Sequence, residues 1–93
     1  MEDPVSVCVI IHGLVQGVFY RAFVEEHAQR LGLKGYVRNL PSGVVEVMAE
    51  GERERVEKLL ERLKMGPPAA IVDRVDISWF EYTGDHSGFR VRY

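Results

Sequence analysis

An α+β fold is predicted, a βαββαβ chain with two helices on one face of an antiparallel sheet and a short extra strand at the C-terminus. Three features of the sequence predict it. Apolar residues recur at every second position in some segments and at every third or fourth in others. Each helical segment carries one apolar stripe, which has to be buried against a neighbouring layer. Turn and stop signals at Gly32, Pro41–Gly43 and Gly66–Pro68 separate the segments.

The elements follow in order. In VSVCVIIH, Val5–His12, the residues Val5, Val7, Val9 and Ile11 alternate with Ser6, Cys8, Ile10 and His12, and the β-branched content makes a strand. GLVQGVFYR, Gly13–Arg21, connects it to a helix whose stripe is Tyr20, Phe23, Val24, His27, Ala28 and Leu31, ended by Gly32. KGYVRNL, Lys34–Leu40, and GVVEVMAE, Gly43–Glu50, read as a hairpin around LPSG, where proline second and glycine fourth fit a type I turn. ERERVEKLLERLKMGPP is the second helix, with Val56, Leu59, Leu60 and Leu63 as its apolar face and Glu54 and Lys58 spaced to pair. RVDISWFEY, Arg74–Tyr82, and GFRVRY, Gly88–Tyr93, are the remaining strands. No repeat or linker interrupts them, so residues 1–93 read as a single domain. The pattern is that of a ferredoxin-like sandwich. That architecture hosts many unrelated activities, so function has to be argued from a site.

Composition narrows the classes. A chain of 93 residues with 46% hydrophobic and 28% charged residues has room for one core. Its net charge of -2 argues against a general nucleic-acid binder, and any anion site must be local. The lone Cys8 has no disulfide partner and suits a reducing cytoplasm. Glu2, Asp3 and Pro4 stand where a signal peptide would carry basic residues, and no apolar run approaches the roughly 20 residues of a membrane span. His12, His27 and His86 lack metal-ligand spacing, so neither a metal nor another cofactor is expected; His27 reads as a packing residue.

Strand direction brings chemistry-bearing residues together. If the first strand runs up, its end delivers GLVQGVFYR to the top, where the first helix begins. The next strand runs up again and ends at Asn39, which shares parity with Val37 and so faces the helices. Arg21 and Asn39 are therefore expected to converge. A helix N-terminus offers unpaired N–H groups, and Gly13 and Gly17 let the preceding loop curl. An arginine in the first turn is wrongly signed for the dipole unless an anion sits between them. Each residue also has a plainer reading: glycines shaping a tight connection, Arg21 solvated, Asn39 forming a turn, Gln16 exposed, Phe19 and Tyr20 packed in the core or against the helix start.

GLVQGVFYR resembles the first acylphosphatase signature: Gly, any residue, Val-Gln-Gly-Val, any residue, Phe or Tyr, Arg. GYVRNLPSGVVEVMAEG resembles the second through Gly35, Tyr36, Val37, Arg38, Asn39, Gly43, Val45 and Gly51. The similarity covers essentially the whole chain. It implies hydrolysis of the carboxyl-phosphate anhydride of a small-molecule acyl phosphate, without metal, nucleic acid or membrane. By the first signature, Arg21 and the backbone amides of Gln16, Gly17, Val18, Phe19 and Tyr20 would bind the phosphoryl group, with inorganic phosphate as product and competitive inhibitor. By the second, Asn39 would orient the attacking water. Two rival readings are an anion-sensing module of the same fold and an RNA-binding sheet, the latter echoed by KGYV but on the wrong strand for its signature.

Overall fold

The computed structural model describes residues 3–93. Seven elements follow one another: β1 (Pro4–Leu14), α1 (Tyr20–Arg30), β2 (Lys34–Asn39), β3 (Val45–Glu52), α2 (Arg53–Met65), β4 (Ile71–Glu81) and β5 (Phe89–Arg92). One sheet of order β4-β1-β3-β2-β5 results. β1 pairs antiparallel with β3 and β4, and β2 antiparallel with β3.

The expectation of a wholly antiparallel sheet needs one correction, because β5 runs parallel to β2 and makes the sheet mixed. The chain leaves β4 at one edge and returns at the other, where Gly35 N–H donates to Gly88 O at 2.8 Å. Glu50 anchors that connection. Its buried carboxylate accepts from the Ser6 hydroxyl at 2.5 Å, the Thr83 hydroxyl at 3.0 Å and the Gly84 amide at 3.0 Å.

The alternation read from β1 is the alternation observed: Val5, Val7, Val9 and Ile11 are buried. They meet Val37, Val45, Val47 and Ala49 from β2 and β3, Val24 and Ala28 from α1, and Val56, Leu59, Leu60 and Leu63 from α2. Each fully buried branched side chain contributes about 1.5–3 kcal/mol, so this layer dominates stability. α1 ends where Gly32 predicted. Gly32 N–H donates to Gln29 O at 3.0 Å and Leu33 N–H to Ala28 O at 2.9 Å, the paired bonds of a Schellman cap. The Glu54–Lys58 ion pair does not form among the described residues; Arg55 instead reaches Glu52 at 2.8 Å.

Two boundaries moved for one reason. β1 continues through Leu14 and β4 begins at Ile71, because a bulge lets them stay paired: His12 faces Arg74 while Gly13 faces Val72. A Cβ on Gly13 would lie 2.1 Å from Ile71 O, so only glycine permits that approach. Gly13 thus serves the sheet, not the curl of the loop beyond it.

Candidate active site

The loop between β1 and α1 wraps a helix start that has no cap. Phe19 stands at the N-cap position but offers no side-chain hydrogen bond, and the first turn contains no acidic residue. The first backbone bond into α1 runs from Phe23 N–H to Phe19 O, 3.0 Å, which leaves the amides of Tyr20, Arg21 and Ala22 without an acceptor inside the helix. Two residues bend the chain to this shape. Gly17 has φ +73°, where an L side chain is strained, and no atom crowds its Cβ position. Phe19 adopts φ 64°, ψ 20° and is the one non-glycine residue at positive φ among those described. For a bulky side chain that conformation costs on the order of 1–3 kcal/mol, as backbone strain at functional sites does.

A cavity of about 560 Å³ opens beside this loop, lined by Gly17, Phe19, Tyr20 and Arg21 and, from across the fold, by Asn39. The convergence of Arg21 and Asn39 expected from strand direction is therefore present. Arg21 is half-buried and makes no ion pair among the described residues; its guanidinium carbon lies 4.8 Å from the centre of the Tyr93 ring. Asn39 ends β2 on the face of buried Val37, and its Oδ1 is buried without a hydrogen-bond partner. An orphaned buried acceptor costs about 1–3 kcal/mol.

The rest of the loop supports these groups. Gln16 is not on the cavity wall; its side-chain Nε2 donates to Leu40 O and Val44 O, both at 2.9 Å. It ties the loop to the β2–β3 turn, next to Asn39. The turn itself closes with Gly43 N–H on Leu40 O at 3.1 Å, in line with the expected LPSG turn. Val18 also lies off the cavity and packs against the core. Tyr20 is buried, and its hydroxyl donates to Leu63 O at 2.7 Å, pinning the start of α1 to the end of α2; burial pushes its pKa up. The core or staple reading therefore holds for Tyr20 and fails for Phe19, which is 83% exposed.

Several residues that the sequence did not single out complete the wall: Glu25, Arg90, Val91 and Tyr93. Glu25 Oε2 accepts the Val91 amide at 3.2 Å and so holds β5 beside α1. Its spacing of four from Arg21 was the available signal. Tyr93 had none beyond an aromatic last residue, because its placement depends on β5 joining the far edge. The three histidines do not meet. His12 bonds Asp76 at 2.9 Å, His86 lies near Tyr36, and His27 packs on Phe23 with ring centres 4.4 Å apart, as a helix-face residue should.

Comparison with known proteins adds an independent line. The acylphosphatase family profile matches residues 7–91. The chain is 50% identical over 94 residues to an acylphosphatase of Caldivirga maquilingensis, covering 100% of this chain and 99% of that one. Among solved structures it resembles an acylphosphatase from Bacillus subtilis, with TM-score 0.93, 31% identity and coverage of 96% and 99% of the two chains. An acylphosphatase from Coxiella burnetii is similar, with TM-score 0.91, 42% identity and coverage of 97% and 94%.

Proposed function

We infer how this site works from one premise: the chain belongs to the acylphosphatase family and is a hydrolase acting on acyl phosphates. Arg21 binds two oxygens of the phosphoryl group through its guanidinium fork, and the amides of the Gln16–Tyr20 loop and the helix start take the remaining charge. The side-chain amide of Asn39 orients the attacking water. The water oxygen bonds to phosphorus, the bond from phosphorus to the carboxyl oxygen breaks, and the carboxylate leaves with the electron pair. The proton of the water passes to a phosphoryl oxygen.

The chemistry explains why so few parts suffice. A carboxylate leaving group has a conjugate acid of pKa about 4, so it departs unprotonated and no general acid is needed. Phosphoryl transfer asks mainly for positioning and for stabilisation of charge on the equatorial oxygens, which an arginine and a ring of amides supply without a metal. The side-chain amide of Asn39, on the wall shared with Arg21, carries this reading: anion sensing alone gives a water-positioning amide no work. The net charge of -2 supports a small-molecule substrate over a nucleic acid. No described helix is long and apolar enough to cross a membrane, and the free Cys8 supports a reducing cytoplasm.

Asn39→Ala tests the assignment. We expect kcat on an acyl phosphate to fall by about 100-fold or more, while the inhibition constant of inorganic phosphate stays within about 3-fold. Loss of phosphate inhibition along with turnover would move Asn39 into the cradle. Retained turnover would reduce it to a turn-former.

A further inference from the structure

Phe19 is held at the mouth of the cavity at a cost that the fold does not recover. The residue is 83% exposed and is absent from the packed core and its margin. Its backbone sits at φ 64°, which glycine or asparagine would occupy with less strain. The phosphate cradle makes no demand for the ring either, since this is a position the signature leaves open to any residue. An aromatic side chain disfavoured by both backbone and solvation, on the wall of a substrate cavity, needs a partner from outside the chain.

The cavity has room for one. At about 560 Å³ it greatly exceeds a phosphoryl group, whose five heavy atoms fill about a quarter of it if each takes roughly the 30 Å³ share of a water. The apolar part of the wall is formed by Val15, Phe19, Ala22, Val91 and Tyr93. Tyr93 presents a second ring, its centre 4.8 Å from the guanidinium carbon of Arg21, and is open to solvent. Besides Arg21, the charged residues of the wall are Glu25 and Arg90, one of each sign, so no net charge invites an anionic acyl group.

We propose that Phe19, with Tyr93, forms an acyl-group subsite that selects acyl phosphates bearing an aromatic or similarly flat apolar acyl group over small ones. This rests on the cradle reading above, in which Arg21 fixes the phosphoryl end and the acyl end projects toward the cavity mouth. An aromatic acyl group stacks on Phe19 before and during reaction alike, so the contact lowers KM and leaves kcat nearly unchanged.

The test compares benzoyl phosphate with acetyl phosphate on wild type, Phe19→Ala and Phe19→Trp, with inorganic phosphate inhibition measured alongside. Both substrates use the same cradle, so damage to it cancels in the ratio of their kcat/KM values. Phe19→Ala should lower the benzoyl-to-acetyl ratio by about 2- to 12-fold, mainly through the KM of benzoyl phosphate, and Phe19→Trp should keep it. A ratio unchanged in Phe19→Ala, or lost equally in Phe19→Trp, overturns the subsite while leaving the cradle reading intact. A wild type that hydrolyses neither substrate, or that phosphate does not inhibit, overturns the cradle reading and this inference with it.

Discussion

An arginine one residue inside a helix N-terminus opposes the dipole, and Arg21 has no carboxylate partner among the described residues to offset this. The arrangement becomes favourable once an anion lies between the guanidinium and the free amides. Removing the guanidinium should then cost more than a surface charge is worth. Arg21→Ala is expected to lower kcat/KM by at least about 100-fold, or about 2.7 kcal/mol of transition-state stabilisation. Arg21→Lys should recover little, because an ammonium cannot present two parallel donors. Steady-state kinetics on one acyl phosphate decide the matter. Recovery of most activity by lysine would mean that a positive charge suffices and that no bidentate contact exists.

Between elements, side-chain ties to backbone keep the fold in register. Gln16 joins the cradle to the β2–β3 turn, Tyr20 joins the two helices, and Glu50 holds the connection that carries β5 across to β2. Glu50 is buried, and burial by itself raises a carboxyl pKa; the hydrogen bonds from Ser6 and Thr83 outweigh it and leave the pKa lowered from its ordinary 4.5. A group depressed in the folded state contributes stability that is fully present above its unfolded pKa and is lost as pH falls through the folded value. Wild type should therefore lose stability from about pH 4.5 downward, and Glu50→Gln should flatten that slope while costing about 1–3 kcal/mol at neutral pH. Denaturant unfolding at a series of pH values reads both effects, and an unchanged acid slope in Glu50→Gln would remove Glu50 from the acid response. These ties also mark where the sequence stops being legible. Periodicity located every element, and strand parity placed Asn39 opposite Arg21, because both depend on local spacing. The parallel β5, the bulge at Gly13 and the arrival of Tyr93 beside Arg21 depend on which edge a chain end chooses, and no local pattern encodes that. Phe19 misled for the opposite reason, since an aromatic beside a helix start usually packs inward.

For the molecule as a whole, the cavity is walled by the β1–α1 loop, the start of α1, the end of β2 and the end of β5, all held by one core. An anion held by Arg21 and the loop amides binds only the folded chain, so it stabilises the global state by RT ln(1 + [L]/Kd), about 2.7 kcal/mol at 100 times Kd. In a domain of this length each kcal/mol moves Tm by about 4–8 °C, so saturating phosphate should raise Tm on the order of 10 to 20 °C. Phosphate also stabilises proteins generally by exclusion from their surfaces, and that part acts whether or not a site exists. Arg21→Ala separates the two, because it keeps the surface and loses the anchor. The expected result is a large shift in wild type and in Asn39→Ala, and in Arg21→Ala only the small rise that exclusion gives. Thermal melts across a phosphate titration at constant ionic strength supply the measurement. If Arg21→Ala shifts as far as wild type, phosphate does not lie against Arg21, and the helix start with its strained Phe19 would need another occupant.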